Sequence, residues 1–599
     1  MDAMKSVVLL SLLLVLSLAI HRHKKCPKKC RCEIYDGKKK VVCDQGNMYK
    51  IPTPLMDKDI EILIITAPAG FPNMLTIGRI FMDFEYLEEI HITHSHVPAI
   101  GDSSFWPGKR LRLLNLSHNN ISILRDSDFN GLNNLQILNL SDNNIQVSEI
   151  PSALFRHLTN LTTLLLARNK LHSLVPRFFY LLSNLKYLDL SGNPLTDLDV
   201  DIMKDIGHLT ILKLANCQLS KLHSMFYQQV PKLQELDLRS NLMTSISPEE
   251  FRHVRNLRIL YLQRNVLKSL KEKTFDKHSF DYLDLSGNQI ESISSCAFCN
   301  ASVYHLDLSS NHLTSLHPHT LVPFSNSLQY LDLSYNHVPI EDLSLALRPL
   351  LKLRKLYLMG MQLNELTSDA FINLEQLEIL NLSHNNIFNI TPSTFEPLKK
   401  LEALDLSRNE FQQLSSSALN MFDNLTSLNE LLLFSNPWSC DTCEVIYFIS
   451  WMNSSSLYNV SCQATAGDQN CLRCVYPLYL IGKEIHNLKP EELDVCEVEP
   501  LVANEMRDLS STSKIGLIIA VTIIVILVLT IIVIIIIYKR HGAVYYTRED
   551  DRGRNSIYDN PSIGGTNGLS DEKKSTYVST LGRIEEGKES VSSPITSVG

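Results

Sequence analysis

Apolar and polar positions alternate in a fixed phrase throughout the middle of the chain. Residues 111–121 and 185–195 are two copies, and both match the template L-x-x-L-x-L-x-x-N-x-L. In its central x-L-x-L-x part, the leucines fall on one side of an extended chain and the intervening residues on the other. Each copy is therefore predicted to form one short β-strand with a buried face and an outward face.

The asparagine position of the phrase marks the copies along the chain. Its spacing of 23 to 27 residues is typical of leucine-rich repeats. With a weak copy around Ile60–Ile65 and a degenerate one at Ser95, the array holds about 15 or 16 repeats. Cys217 and Met361 occupy the position in two further copies. The asparagines are Asn119, Asn143, Asn169, Asn193, Asn241, Asn265, Asn288, Asn311, Asn336, Asn385, Asn409 and Asn436.

Stacking of these copies predicts an α/β repeat solenoid, a leucine-rich-repeat horseshoe with a parallel sheet on its concave face. An asparagine has two amide donors and a carbonyl acceptor, so it can bond backbone groups left unpaired where the chain turns. Cys217 is expected to be a buried free thiol, and the ladder is expected to be irregular at Met361, which cannot donate. An aromatic spine is predicted under the convex side: Phe105, Phe129, Phe155, Phe179, Phe251, Phe275, Phe298, Phe371 and Phe395.

Two apolar segments predict how the chain lies relative to a membrane. Residues 1–19 have a basic head, a short apolar core and small residues at their end, which favours a signal peptide over a buried N-terminal helix. The uncharged run Ile515–Ile537 would be ~34 Å long as a helix, enough to cross the hydrocarbon core. Basic residues follow it, as is typical of the cytoplasmic side. We expect a single-pass type I plasma-membrane protein, with a transmembrane helix at 515–538, the repeats outside and a cytoplasmic tail at 539–599.

Cysteines cluster in even numbers at the two ends of the repeat array. In a secreted chain this pattern predicts disulfides, with zinc as the alternative for the first cluster. Cys296 and Cys299 are expected to form a local disulfide, because no redox-motif context surrounds them. The predicted disulfide cysteines are Cys26, Cys30, Cys32, Cys43, Cys296, Cys299, Cys440, Cys443, Cys462, Cys471, Cys474 and Cys496.

Both end clusters resemble the caps of extracellular leucine-rich-repeat proteins. Residues 26–52, with C-x-x-x-C-x-C and a later Ile-Pro, are similar to their N-terminal cap. Residues 436–451, with N-P-W-S-C and F-I-S-W, and Cys496 are similar to their C-terminal cap. The resemblance implies an N-terminal cap at 26–55, repeats at 56–437, a C-terminal cap at 438–497 and a stalk at 498–514.

The C-terminal cap departs from the family pattern. Two residues separate Cys440 from Cys443, where the family usually has one. Cys462 has the usual spacing of the third cap cysteine, whereas Cys474 has the usual sequence context. One of these two is therefore expected to pair locally with Cys471, and the connectivity stays open.

The family resemblance and the absence of catalytic motifs both indicate a binding protein. The family includes Toll-type receptors and adhesion proteins such as capricious and tartan, and none is catalytic through its repeats. The sequence has no H-E-x-x-H, P-loop or G-x-S-x-G motif. Its net charge of −8 gives no support to a nucleic-acid partner. We therefore expect no enzyme activity, cofactor or metal.

Large side chains at outward strand positions of the middle repeats are the candidate ligand-binding residues. Exposed tyrosines on a rigid sheet are frequent binding anchors, and a bland surface is the alternative interpretation. The neighbouring aspartates are interpreted as common features of the repeat. The candidates are Tyr261, Tyr282, His305, Tyr330, Tyr357 and Lys355, beside Asp284, Asp307 and Asp332.

Nine glycosylation sequons lie between Asn115 and Asn459 of the predicted ectodomain. Three of them, at Asn115, Asn139 and Asn381, lie at outward strand positions, so glycans there would screen both flanks of the tyrosines. The sequon asparagines are Asn115, Asn139, Asn160, Asn300, Asn381, Asn389, Asn424, Asn453 and Asn459.

The two ends of the chain add further candidate partners. The tail is too short for a Toll-type signalling domain, but Tyr558-Asp-Asn-Pro resembles a phosphotyrosine motif read by SH2 adaptors. Nine Lys or Arg residues between His21 and Lys40 suggest glycosaminoglycan binding, with a solvated cap edge as the alternative. The leading hypothesis is a cell-surface recognition or adhesion receptor for a protein ligand. The alternative is a co-receptor or presenter that acts in cis on another signalling protein, for example in innate immunity.

Overall fold

The computed structural model describes residues 26–146, 154–248, 250–441, 444–458 and 471–493, with the backbone alone at Glu444 and Pro490. All of these residues belong to the first of the chain's two units, residues 1–497. The predicted signal peptide, stalk, transmembrane helix and tail lie outside the described residues. Among the described ranges, no helix has both the length and the apolar character that a bilayer span requires.

One sheet of 18 strands runs through the described unit. Its first two strands form an antiparallel hairpin, and each later strand pairs in parallel with the preceding strand of the sheet. The predicted parallel repeat sheet is confirmed. Its strands are Arg31–Tyr35, Lys38–Cys43, Ile62–Ile65, Glu89–Ile92, Leu113–Asn115, Ile137–Asn139, Thr163–Leu165, Tyr187–Asp189, Ile211–Lys213, Glu235–Asp237, Ile259–Tyr261, Ser279–Asp284, Ser302–Asp307, Tyr330–Asp332, Lys355–Tyr357, Ile379–Asn381, Ala403–Asp405 and Glu430–Leu432.

Short helices and two minor strand pairs occupy the segments between the sheet strands. Asn73–Met74 pairs with Ser95–His96, and Ser269–Leu270 pairs with Ser292–Ile293. The α-helices are Ser224–Gln228, Ile340–Leu347, Pro392–Phe395, Ser416–Asn424 and Glu444–Ser454. The 3-10 helices are Thr53–Leu55, Val200–Met203, Glu250–His253, Val322–Phe324, Leu478–Leu480, Ile485–Asn487 and Pro490–Glu492.

The predicted asparagine ladder is present. The amide of Asn336, for example, donates to the carbonyl oxygens of Leu308 and Leu333, at 2.9 Å each, and its own oxygen accepts from the Leu313 N–H at 3.0 Å. Asn336 has no exposed surface. Each such asparagine therefore satisfies backbone groups of two neighbouring repeats, which removes the cost of burying them unpaired.

The ladder positions without asparagine behave in different ways. Cys217 is buried and free, and its Sγ lies 3.4 Å from the carbonyl oxygen of Leu190, as a weak substitute for the amide. At Met361 the asparagine of the next repeat, Asn385, accepts from two backbone N–H groups, those of Met361 and Leu363. Asn241 accepts in the same way from the N–H groups of Cys217 and Leu219, so the irregularity at Met361 is the missing side-chain donor and not the shared acceptor.

The aromatic spine is also confirmed, because all of its predicted phenylalanines are buried. Phe275 stacks between Phe251 and Phe298, with ring centroids 5.9 and 5.5 Å away. Further members were missed, including buried Phe81, which stacks on Phe105 at 5.8 Å. Tyr227 stands ten residues after the Cys217 position and contacts Phe251 at 5.2 Å, and Phe324 contacts Phe298 at 5.1 Å.

Disulfides hold both ends of the solenoid. In the N-terminal cap the bonds are Cys26–Cys32 and Cys30–Cys43, and the hairpin they secure pairs with the first repeat strand. Cys296 is bonded to Cys299. In the C-terminal cap Cys440 is bonded to Cys474, and Cys471 is also disulfide-bonded. Cys443, Cys462 and Cys496 lie outside the described residues.

The C-terminal cap covers the last repeat with tryptophan. Trp438 is buried, and its ring lies 6.4 Å from Phe411 of the repeats and 5.1 Å from Phe448 of the cap helix. The Trp451 Nε1–H donates to both carboxylate oxygens of Asp423 at 3.1 Å. The cap thus continues the apolar core and ends it with satisfied polar groups.

Candidate ligand-binding site

The candidate ligand-binding residues lie in two adjacent rows on the open face of the sheet. The strand register fixes both rows, because equivalent positions of successive repeats pair directly. The first row is Ile259, Tyr282, His305, Tyr330 and Lys355. The second row, two residues further along each strand, is Tyr261, Asp284, Asp307, Asp332 and Tyr357.

Five rings of these rows form one continuous stack across five strands. The centroid of His305 is 4.2 Å from that of Tyr282 and 3.7 Å from that of Tyr330, with the rings nearly parallel. Tyr261 lies 5.4 Å from Tyr282, and Tyr357 lies 5.1 Å from Tyr330. We call these five residues the aromatic stack. The faces of Tyr282, His305 and Tyr330 are turned towards one another, and all five residues are partly exposed.

Three carboxylates lie next to the aromatic stack, in the second row between Tyr261 and Tyr357. Asp284, Asp307 and Asp332 are flanked by Tyr261 and Tyr357 in their own row and by the remaining stack residues in the other row. The Oδ1 atom of each accepts from the backbone N–H of the serine two residues later, at 2.8–3.0 Å. We call these three residues the acidic row. Interpretation of the sequence had assigned them no role in binding.

The surroundings of the aromatic stack favour neutral side chains. Burial, followed by the charge of Lys355, lowers the pKa of His305 to about 4, so this imidazole is neutral at physiological pH. Burial and then nearby carboxylates raise the pKa of Tyr282 to about 12 and also raise that of Tyr330. The stack is thus an uncharged, partly desolvated surface with hydrogen-bonding edges.

Lys355 completes the site at one end of the first row. It borders the same shallow hollow as His305 and Tyr330, together with Arg354. Arg354 forms an ion pair with Glu378, whereas Lys355 has no ion pair among the residues that the structure describes. Its ammonium group is therefore available to a ligand.

Two basic residues that the sequence did not identify as candidates lie beside the other end of the aromatic stack. The Lys213 ammonium and the Arg239 guanidinium lie 5.2 and 5.5 Å from the ring centroid of Tyr261. Lys213 also pairs with Glu235, and Arg239 pairs with Asp237 at 2.8 Å. Attraction of a cation to an aromatic face explains why these side chains lie beside Tyr261. From the sequence, this contact could be inferred only by aligning the strands of neighbouring repeats.

The predicted glycosylation positions lie around the site and on other surfaces. Asn115, Asn139 and Asn381 are partly exposed on the open face, and Asn381 pairs in register with Tyr357. Asn160, Asn300, Asn389, Asn424 and Asn453 are exposed. Asn459 and the predicted phosphotyrosine Tyr558 lie outside the described residues.

Most of the basic side chains described in the N-terminal cap already have partners. The ion pairs are Arg31–Asp44, Lys38–Glu88, Lys39–Asp59 and Lys40–Glu33. Lys29 donates to the backbone carbonyl oxygens of Gly46 and Asn47. A glycosaminoglycan at this cap would have to compete with these contacts, and such binding stays a prediction.

The described residues contain no cluster of the usual metal-binding side chains. Across these ranges there is no group of three or more His, Cys, Asp or Glu side chains with suitable placement. The Cys26–Cys32 disulfide also removes two thiols from the zinc alternative considered for the first cysteine cluster.

Comparison with known proteins places the repeats in a family. The model described as leucine rich repeat matches residues 85–145, 146–195, 207–267, 278–338 and 352–411. Matrix-remodeling-associated protein 5 of Homo sapiens is 34% identical over 97 residues, 16% of this chain and 3% of that protein. Carboxypeptidase N subunit 2 of Mus musculus is 39% identical over 80 residues, 13% of each. The chain therefore matches only a small part of either relative.

Solved structures share the fold over most of the chain. TLR13, determined as a complex with ssRNA13, is 22% identical with a TM-score of 0.58, covering 76% of this chain and 70% of its own. Toll of Drosophila in complex with Spatzle is 22% identical with a TM-score of 0.52, covering 74% and 59%. A leucine-rich-repeat protein of Leptospira interrogans is 25% identical with a TM-score of 0.52, covering 63% and 91%. These likenesses establish the architecture.

Proposed function

Since the chain belongs to the extracellular leucine-rich-repeat proteins, whose repeats are protein-interaction scaffolds and not enzymes, we propose that it is a cell-surface receptor for a protein ligand. The ligand binds the open face of the sheet. Its contacts centre on the aromatic stack of Tyr261, Tyr282, His305, Tyr330 and Tyr357, with Lys355 at one edge.

The single observation that carries this proposal is the continuous stack of five rings over five adjacent strands. Tyrosines are frequent anchors of protein interfaces, because a large rigid ring buries area at little entropic cost while its hydroxyl forms a hydrogen bond. Ring-to-ring packing also fixes the side chains before binding. A partner therefore meets a preorganised surface, which reduces the entropic cost of association.

Cell-surface placement rests on the disulfides and on the sequence outside the described residues. Disulfide-bonded caps are typical of chains that fold in an oxidising compartment. Residues 1–19 and 515–538 have the composition of a signal peptide and a transmembrane helix. In this proposal the tail reports ligand binding, with phosphorylated Tyr558 as the docking point of an SH2 adaptor.

Removal of two central rings should weaken ligand binding. We expect Tyr282→Ala with Tyr330→Ala to cost at least ~2 kcal/mol, roughly a thirtyfold rise in Kd. The measurement uses full-length chain on cells, screened against a panel of secreted and cell-surface ectodomains. Each protein that binds the wild type is then titrated against the variant.

Two further variants control this measurement. Tyr49→Ala with Tyr447→Ala removes two exposed tyrosines away from the open face and should leave binding unchanged. Tyr282→Phe with Tyr330→Phe keeps the stacking and removes only the hydroxyls, so it should fold normally and lose part of the affinity. Unchanged Kd for the alanine pair would move the binding site to a cap, a flank or the convex surface.

The proposed topology has a direct test on intact cells. Antibody against an epitope tag within the repeats should label intact cells, whereas antibody against a tag at residue 599 should label only permeabilised cells. An untagged chain controls for background. Tail labelling on intact cells would contradict the proposed orientation.

A further inference from the structure

The acidic row places three carboxylates side by side on the open face. The three aspartates, Asp284, Asp307 and Asp332, occupy equivalent positions of successive repeats and therefore lie next to one another. None of them forms an ion pair with another described residue. The Oδ1 atom of each carboxylate accepts from the backbone N–H of the serine two residues later, and that of Asp284 also accepts from the Ser286 hydroxyl at 2.7 Å. Asp307 and Asp332 remain partly exposed, while Asp284 is buried.

The pKa values of two carboxylates in the acidic row are raised, which also indicates a negative potential there. Burial, and then repulsion from Asp332 and Asp284, raises the pKa of Asp307 to about 6. Burial likewise raises the pKa of Asp332, with repulsion from Asp284 as a further cause. Neighbouring carboxylates that raise the pKa of Asp307 and Asp332 create a negative potential at these positions, and that potential would fall if a cation were bound beside them.

The chain already contains one example of a cation bound in this kind of setting. At the adjoining end of the aromatic stack, Lys213 and Arg239 approach the ring of Tyr261 and pair with Glu235 and Asp237. The next three repeats offer the same combination of ring and carboxylate without a cation of their own.

We propose, as an inference that rests on the receptor function above, that the partner presents a cationic segment of arginine or lysine side chains to the acidic row. Their charged ends pair with Asp307 and Asp332, and their alkyl stems lie along the ring edges of Tyr282, His305 and Tyr330. Lys355 limits the segment at one end, because it repels a further cation.

The test uses a fluorescent nona-arginine peptide and full-length chain in detergent, with binding followed by anisotropy. The wild type should bind nona-arginine and should not bind nona-glutamate. Asp307→Asn with Asp332→Asn should weaken binding by at least about tenfold, because both pairing carboxylates are lost. Lys355→Ala should tighten it by about twofold or more, because a repulsive charge is removed.

A matched control separates the proposed site from general attraction to an acidic protein. Asp405→Asn with Glu430→Gln removes two carboxylates from outward positions of the same sheet, beyond the aromatic stack. Nona-arginine should bind this control as it binds the wild type. Equal binding to the Asp307/Asp332 variant and to the control, or no binding to the wild type, would overturn the inference.

Acid should weaken the same interaction. Since Asp307 is protonated below about pH 6, nona-arginine should bind more tightly as the pH rises from about 5 to about 7.5. The titratable groups around Asp307 lie on three strands. The two neighbouring strands carry Asp284 with Tyr282 and Asp332 with Tyr330, and the strand of Asp307 itself carries His305. The tyrosines and His305 do not titrate in this window, so Asp307→Asn should reduce the pH dependence. A flat wild-type profile would count against the role of Asp307.

Binding of a protein ligand to the tyrosine variant and to the aspartate variant distinguishes this inference from the proposed receptor function. If the Tyr282/Tyr330 alanine pair loses a protein ligand while the Asp307/Asp332 asparagine pair binds it normally, the receptor site stands and the cationic partner is wrong. If both pairs bind that ligand normally, both proposals fail.

Discussion

Replacing Asn336 with alanine should lower the free energy of unfolding by about 3–5 kcal/mol. The substitution leaves the buried carbonyl oxygen of Leu333 and the N–H of Leu313 without the partner they now have, whereas the carbonyl oxygen of Leu308 keeps its bond from the Asn311 amide at 2.9 Å. Each unsatisfied buried group costs about 1–3 kcal/mol, and a small cavity adds to this. We expect a lower melting temperature and faster hydrogen exchange at residues 308–336.

An exposed asparagine provides the control for this effect. Asn256 donates one exposed hydrogen bond of 3.4 Å to the carbonyl oxygen of Pro231. Asn256→Ala should therefore stay within about 0.5 kcal/mol of the wild type. Similar melting of the two variants would show that the asparagine ladder contributes little to stability. Asn336→Cys should fall between them, since the thiol of Cys217 occupies the same position.

Removal of the Cys440–Cys474 disulfide should have the second largest effect. Its cysteines are 34 residues apart, so the bond removes much conformational freedom from the unfolded chain. The chain-entropy model gives about 4 kcal/mol for a loop of this size. The double variant Cys440→Ser with Cys474→Ser avoids a new free thiol. We expect reduced surface expression and protease cleavage within the C-terminal cap.

The Cys296–Cys299 bond is the internal control for loop length. Its cysteines are only three positions apart, for which the same model gives about 1.6 kcal/mol. The corresponding double serine variant should express and melt nearly as the wild type does. If it were the more damaging of the two, local geometry would outweigh loop entropy.

The solenoid was predictable because its local signals and its tertiary packing agree. Leu331, Asn336 and Phe298 each follow from one position of the repeat phrase, and each has the predicted environment. Prediction failed where residues are inserted between the signals. Asn73, which lies outside the regular spacing, is fully buried, and its oxygen accepts from the Met48 N–H at 3.0 Å as a ladder residue would.

The sequence predicts which residues form the candidate site, but it does not predict how their side chains pack against one another. Outward strand positions identify Tyr282, His305 and Tyr330, because alternation alone decides which side chains leave the core. Their stacking depends on rotamers that the sequence does not specify. The importance of Asp307 was missed for a different reason, since its surroundings come from neighbouring repeats about 25 residues away on either side.

Cys217 has a consequence for how this chain matures. The sequence contains 13 cysteines, so at least one must stay unpaired within a single molecule. Once its repeat has stacked, the Cys217 thiol is buried, and burial raises its pKa to about 12. Disulfide exchange requires a thiolate, so this group can attack neighbouring bonds only before the repeat closes. We therefore expect disulfide exchange through Cys217 to be confined to nascent chains, before the central repeats have stacked.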